Sequence, residues 1–416
     1  MLLQFSVENF KSIKNEVVLS LEASADHDHP NNVTLIEKNH VLNGALIFGA
    51  NASGKSNIFL AMTAAVLTIR ESNARQVGQP LVHIVPYKFL ADAYSVPTRF
   101  EFVFIAESKR YVYGFSATNQ RIVSEYLYVY NTAKASKVFE RQGDEYSFTS
   151  VYEKSLKPYV ERNTSNKLFL ATATAWNCKE TRVPLMWFVS GINTYSNNFA
   201  DVLHLTGPMF ANDEDHSLKR FTTNLLQKAD INISDYELET MNESKEKFLN
   251  SLPEQLRPAF SGFDNLSNLA VKIKTIHNVD VSGEERPFSL DFSEESLGTR
   301  SLFFLSPILK KAFETGEVVC IDEFDASLHP LLVIYIVDLF NNPEINKNHS
   351  QLIVSTQTTE LLDLNIVRRD QVYFVDKKNS TGISELYSLD DFSERKRTDV
   401  RKAYLLGRYD AIPDIK

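Results

Sequence analysis

Apolar and polar residues alternate from Leu2 to Val7, the period of a strand, and Val17 to Leu21 repeats the pattern more briefly. Ala45-Leu46-Ile47-Phe48 is a compact apolar run that ends abruptly at Gly49. From Lys55 to about Arg70 the apolar residues Ile58, Leu60, Ala61, Ala64, Ala65 and Leu67 fall at helical spacing. Strand, glycine-containing loop and helix therefore follow one another here. From about Arg99 to Arg141 three β-rich runs (FEFVFIA, RYVYGFSA and RIVSEYLYVY) are separated by polar breaks, which predicts an antiparallel meander.

Between about 150 and 265 the pattern changes, and Ser217–Lys228 and Ser244–Leu252 read as surface-rich helices. Strand-like alternation returns from Asn268 to Phe292. A helix is expected from about Thr299 to Phe313, then a strand in GEVVCID, a helix after Pro330, a strand in QLIVST and a last strand in QVYFVD. No internal repeat, low-complexity tract or long heptad run interrupts this order. The expected organisation is a split α/β domain: residues 1–149 and 285–416 form one discontinuous lobe, and 150–284 form a mainly helical insertion.

Composition narrows the class. With 416 residues, 43% apolar and 23% charged, the chain is long enough for more than one core and is not of disordered type. The net charge of −9 argues against a general nucleic-acid coat but leaves room for a local basic groove, for which Arg368-Arg369, Arg395-Lys396-Arg397 and Arg401-Lys402 are candidates. Cys178 and Cys320 are far apart and lack metal-ligand spacing, which fits a reducing compartment. The start has no secretory pattern, and no run of 18 apolar residues occurs. A cytoplasmic protein without a membrane partner is expected.

Chemistry enters at Gly49-Ala50-Asn51-Ala52-Ser53-Gly54-Lys55-Ser56, which meets the P-loop spacing without a mismatch and has a strand before and a helix after it. Gly49 and Gly54 let the backbone wrap closely round phosphates, while the amides and the helix N-terminus supply fixed positive potential. Lys55 is expected to reach the terminal phosphates and Ser56 to hold magnesium. Asn57, next on the helix, joins the nucleotide-contacting set. Val318-Val319-Cys320-Ile321-Asp322-Glu323 is an apolar run ending in two acids. Asp322 is placed to hold magnesium through water and Glu323 to polarise the attacking water, the two positions that phosphoryl transfer needs. ATP and Mg2+ are the implied cofactors. Read alone, the acidic pair is an ordinary strand end; downstream of this P-loop it is a strong signal.

Glu295-Ser296-Leu297-Gly298-Thr299, with Ser296 standing 26 positions before Asp322, resembles the signature motif of ABC-type ATPases. In that class a serine, a glycine and a helix N-terminus cap the γ-phosphate held by the other subunit, and Ser296 and Gly298 occupy the matching positions. A plain helix N-cap is the bland alternative. Phe324-Asp325-Ala326-Ser327-Leu328-His329-Pro330 resembles the loop that crosses the dimer interface of the same class. At Val354-Ser355-Thr356-Gln357, Gln357 stands where the family usually has a switch histidine. A glutamine amide can donate to phosphate or orient a water but does not titrate. Binding is expected to survive this departure and turnover to be slow.

With Val7-Glu8-Asn9-Phe10-Lys11-Ser12, these motifs resemble the SMC/RecF/OLD branch of ABC-type ATPases, where Lys11 and Ser12 correspond to residues near the phosphates or base. Arg110–Phe115, Leu168–Leu170, Tyr404–Tyr409 and Ala411-Ile412-Pro413 are similar to a bacterial group that includes RloA and AbiL-type ATPases and is akin to AriA of the PARIS system. The resemblance implies an α/β P-loop NTPase of ABC-ATPase type with an antiparallel β subdomain. It also implies an ATP-sandwich homodimer or higher multiple, acting in anti-phage defence with a separately encoded effector such as a nuclease.

Three rivals remain. A transport ATPase fits poorly, because Lys55 and Ser296 are 241 residues apart. A self-contained nuclease would rest on Asp390-Asp391, a thin basis. A RecF-like repair ATPase that binds DNA is the main alternative and needs a basic face.

Overall fold

The computed structural model describes residues 1–132, 134–195, 199–240, 271–392 and 399–412. The helix expected over 244–252, the start of the strand expected at 268, the basic run Arg395-Lys396-Arg397 and Pro413 lie outside them. In chain order the strands are β1 (Leu2–Glu8), β2 (Val17–Ser20), β3 (Val33–Ile36), β4 (Asn39–Leu42), β5 (Gly44–Gly49), β6 (Thr98–Ala106), β7 (Lys109–Ala117), β8 (Ile122–Tyr130), β9 (Ala135–Gln142), β10 (Glu145–Phe148), β11 (Ile192–Tyr195), β12 (Asp235–Thr240), β13 (Val271–Val281), β14 (Glu284–Asp291), β15 (Val318–Ile321), β16 (Gln351–Ser355), β17 (Val372–Lys378) and β18 (Ile383–Ser388). The main helices are α1 (Lys55–Arg70), α2 (Ser150–Leu156), α3 (Phe169–Ala175), α4 (Lys179–Met186), α5 (Phe199–Ala211), α6 (Ser217–Lys228), α7 (Leu297–Thr315) and α8 (Pro330–Asn341).

The chain divides into two compact units. The first comprises Met1–Tyr195, Thr315–Phe324 and Ile334–Lys416; the second comprises Ser196–Glu314 and Asp325–Val333. The first unit contains a seven-stranded antiparallel sheet in the order β10-β9-β8-β7-β6-β1-β2 and a six-stranded sheet in the order β11-β15-β16-β5-β17-β18. The second sheet is parallel except for β18, which runs antiparallel to β17. Residues of both sheets and of α1 share one hydrophobic core. All six residues of β5 are buried, as expected of a parallel strand covered on both faces.

The antiparallel sheet is buried on both faces along much of β6 and β7. Phe100, Phe102 and Phe104 of β6 and Tyr113 and Phe115 of β7 point inward. Phe104 stacks on Trp187 with ring centroids 4.0 Å apart. The meander is longer than the three runs suggested, because β9 and β10 extend it to Phe148. Residues 150–195 belong to this unit rather than to the insertion. Phe169 of α3 packs on Phe139 and Tyr146 at 5.1 and 5.0 Å, and its amide donates to the fully buried Glu125. A seven-residue helix is too short for periodicity to reveal such a buried face.

The second unit holds α5, α6 and most of α7 together with a three-stranded sheet ordered β12-β13-β14. Its core is aromatic: Phe303 of α7 lies 4.7 Å from Phe210, 4.8 Å from Phe292 and 4.9 Å from Tyr236. Among the described residues no helix is long and apolar enough to cross a membrane.

Candidate nucleotide site

The loop between β5 and α1 is shaped by what its glycines allow. A Cβ at Gly49 would lie 2.4 Å from the Val375 carbonyl oxygen on β17. Gly54 has φ +108°, and a Cβ there would lie 2.2 Å from Ser384 Oγ and 2.9 Å from Ser12 Oγ. Ala52 also has a positive φ of 64°, a conformation that costs a non-glycine residue roughly 1–3 kcal/mol and gathers at functional sites. The first turn of α1 contains no acidic residue and has no side-chain cap. Its amides therefore keep the positive potential that a phosphate would satisfy. The Ser53 hydroxyl is buried within the loop and has no hydrogen-bond partner among the described residues. Lys55 is 7% exposed, and its ammonium donates to Gly49 O at 2.7 Å and Ala50 O at 3.0 Å, so the cation sits inside the loop. These features fit a polyphosphate.

Strand register brings the acids to the same end of the sheet. β15, β16 and β5 run parallel, with Ile321 opposite Val354 and Ser355 opposite Ile47. Asp322-Glu323, Ser355-Thr356-Gln357 and Gly49 thus leave the carboxyl ends of neighbouring strands, where open α/β sheets form their sites. Ser355 joins the two acids. Its hydroxyl bonds the Asp322 carboxylate and accepts from the Glu323 amide at 2.7 Å, while the Ser355 carbonyl accepts from the Phe324 amide at 3.0 Å. Glu323 itself has φ 49°, so its backbone conformation is an uncommon one fixed by these bonds. The donor set of Ser56 hydroxyl and Asp322 carboxylate suits a hard divalent cation such as Mg2+. Two positions before Asp322, burial pushes the Cys320 thiol well above its ordinary range, which makes it an inert core residue.

Gln357 and Asn51 meet: Gln357 Nε2 donates to Asn51 Oδ1 at 3.1 Å, so the residue in the switch position touches the phosphate loop. On the other side of the loop lies a hydroxyl cluster. Ser384 Oγ donates to Ser53 O at 2.6 Å and is 2.7 Å from Ser12 Oγ, and Asn57 Nδ2 donates to Ser12 Oγ at 2.6 Å. Ser12 and Asn57 therefore brace the loop from behind. Lys11 has φ 49° and an amide bound to Val85 O at 2.9 Å. Sequence reasoning missed Ser384 altogether, because β18 was not expected after QVYFVD, and it missed the bridging role of Ser355. A serine two positions before the switch residue was the available signal for the second.

The Ser296 motif lies in the second unit. Ser296 Oγ accepts from the Thr299 amide at 3.1 Å and is 2.8 Å from Thr299 Oγ1, so Ser296 caps α7. Its predecessor Glu295 accepts from Thr275 Oγ1 and His277 Nε2 on β13 at 2.5 and 2.8 Å. A Cβ at Gly298 would lie 2.9 Å from the Ser327 carbonyl, which places the turn against Ser327 of the same unit and leaves no space for a side chain. Leu297 and Leu331, beside these two segments, are 62% and 67% exposed.

Two other sequence candidates become structural residues. Arg368 is buried, bidentate to Asp370 and bound to the Asp26 and Asp28 carbonyls, and Arg369 bonds the Leu389 and Phe392 carbonyls. Arg368-Arg369 is thus a fixture of the fold and not a free basic patch, and Arg401 pairs with Glu360 at 2.9 Å. Asp390-Asp391 forms a short turn in which Asp391 accepts from the Ser388 amide, and no metal-holding group of three or more His, Cys, Asp or Glu residues exists among the described residues.

A family model, AAA_21, described as "AAA domain, putative AbiEii toxin, Type IV TA system", matches residues 45–363. No curated protein matches the chain. Among solved structures, the SmcHead bound to the C-winged helix domain of ScpA is similar at 16% identity and a TM-score of 0.48, over 93% of this chain and 97% of that one. The Smc head domain with an extended coiled coil bound to the C-terminal domain of ScpA, derived from Pyrococcus furiosus, is similar at 15% identity and a TM-score of 0.40, over 93% and 96%.

Proposed function

The chain belongs to the AAA_21 family of AAA domains and has a P-loop NTPase fold, and on that premise we propose that it is an ATP-binding and ATP-hydrolysing switch whose sites are completed by a second copy. The observation that carries the hydrolytic part is the Ser355 bridge. One hydroxyl holds the Asp322 carboxylate and the Glu323 amide together at the strand end beside the phosphate loop.

Gly49–Ser56 would bind the phosphates through backbone amides, with Lys55 leaving its two carbonyl partners for the terminal phosphates. Ser56 and Asp322 would hold Mg2+, which neutralises charge on the phosphates when bound. Glu323 would accept the proton of the attacking water, and its fixed backbone keeps the carboxylate in register with the strand end. Gln357 orients and does not titrate, which supports slow turnover and a long-lived bound state.

Ser296 and Gly298 of one copy would cap the γ-phosphate held by the other. A first turn of α7 without acidic residues and the exposed Leu297 and Leu331 support this role. Closure of the pair on ATP and reopening after hydrolysis form the switch. Recognition of the trigger is assigned to the insertion, the region read from sequence as 150–284. The sequence resemblance to RloA, AbiL-type and AriA ATPases supports a cytoplasmic anti-phage sensor that acts with a separate effector.

The test is paired binding and phosphate release. Glu323→Gln should bind ATP-magnesium like the natural chain and release no phosphate, whereas Lys55→Ala should lose binding. Undiminished phosphate release from Glu323→Gln would refute the assignment of the base.

A further inference from the structure

The order of strands in the six-stranded sheet gives the nucleotide site a direction. β16 and β15, carrying Gln357 and the two acids, lie on one flank of β5; β17 and β18 lie on the other. A triphosphate whose terminal group faces the acids must send its nucleoside toward the opposite flank. On that flank Ser384 is tied to Ser53 and Ser12. The neighbouring 85–89 segment is laced to both sides of the same region. Val85 O accepts from the Lys11 amide, the Tyr87 amide donates to Asn9 Oδ1 at 3.1 Å, and Tyr87 Oη donates to Thr381 O at 2.6 Å.

At the end of this segment stands Phe89, 76% exposed. An aromatic side chain so exposed forgoes most of its burial energy, yet this one is held in place. The Cε2–Cδ2 edge of its ring meets Gly382, where a Cβ would come within 2.7 Å of Phe89 Cε2, and Gly382 has φ +69°, so the turn both needs and profits from glycine. The Tyr87 ring stands perpendicular to that of Phe89, with ring centroids 5.5 Å apart. The Phe89 ring is thus held at its Cε2–Cδ2 edge by the Gly382 turn and stands perpendicular to Tyr87, next to the loop that the nucleotide reading assigns to phosphates. Base–aromatic stacking is the interaction that such a fixed, exposed ring offers.

We propose that Phe89 is the stacking platform for the base of the bound nucleoside triphosphate. This rests on the nucleotide reading of the Gly49–Ser56 loop and adds to it a base subsite on the β17–β18 flank. Stacking uses the π-face, so it supplies affinity for an aromatic base rather than a reading of its hydrogen-bonding edge.

The experiment compares ATP-magnesium with tripolyphosphate-magnesium, which lacks the nucleoside, by calorimetric titration. Phe89→Ala should weaken ATP by roughly 5- to 150-fold and leave tripolyphosphate unchanged. Phe89→Tyr should bind ATP like the natural chain, and a tryptophan introduced by Phe89→Trp should change its fluorescence with ATP but not with tripolyphosphate. Equal weakening of both ligands in Phe89→Ala, or no weakening of either, overturns the base subsite alone, provided that Lys55→Ala still abolishes binding. If the natural chain binds neither ligand, the nucleotide reading falls and the subsite with it.

Discussion

Ser355 is where the residue scale is most informative. Its hydroxyl serves one acid as a hydrogen-bond partner and the other through its backbone amide, so a single oxygen aligns both. Ser355→Ala removes that alignment without opening the phosphate loop. Groups that orient a metal site from behind are worth about 10- to 100-fold. We expect phosphate release to fall by roughly that factor, with ATP affinity changed only a few-fold, as followed by phosphate release and equilibrium titration. Gln357 tests the opposite direction. Its amide reaches Asn51 and does not titrate; Gln357→His should therefore speed turnover in a phosphate-release assay, and equal rates would remove the account of slow hydrolysis. At this scale residue type and spacing pointed to Lys55, Ser56, Asp322 and Glu323, and strand register brings the loop and the acids to the same end of the sheet. Ser384 was not readable, because its partners Ser12 and Ser53 are brought to it only by the pairing of distant strands.

Among elements, the strand–loop–helix unit of β5 and α1 was legible in full, since an apolar run, two glycines and a helical period are all local signals. Gly54→Ala probes it. The left-handed backbone and the 2.2 Å approach to Ser384 Oγ leave no place for a methyl group, so the variant should lose ATP binding in titration while the far-UV circular dichroism of the chain persists. The helices between 150 and 195 were assigned to an insertion, and the structure packs them on the meander instead. A buried charge explains the attachment. Glu125 accepts the Phe169 and Leu170 amides at 2.6 and 2.9 Å and the Tyr113 hydroxyl at 3.0 Å, and lies 3.7 Å from the buried Arg141. Burial pushes its carboxyl above the ordinary glutamate range, and these donors oppose that rise. Glu125→Ala would leave two amides and a guanidinium without their acceptor, at a cost of about 3–5 kcal/mol in chemical denaturation. No periodicity in the sequence announces a polar anchor of this kind.

The whole molecule joins two units whose motifs are far apart in the chain. The phosphate loop and the acids belong to the first unit, the Ser296 turn to the second. That division was only partly legible. The meander and the P-loop were plain, while the boundary near 195 depends on which core α3 and α4 enter. The central claim is that two copies complete the site between them. Light scattering of the Glu323→Gln protein, with and without ATP-magnesium, measures this most directly. The account predicts a rise in mass on adding ATP, to a dimer or a multiple of one, abolished by a second substitution Ser296→Arg. A mass equal to the single chain in both states, with ATP bound, would contradict it and leave Ser296 as the cap of α7 alone.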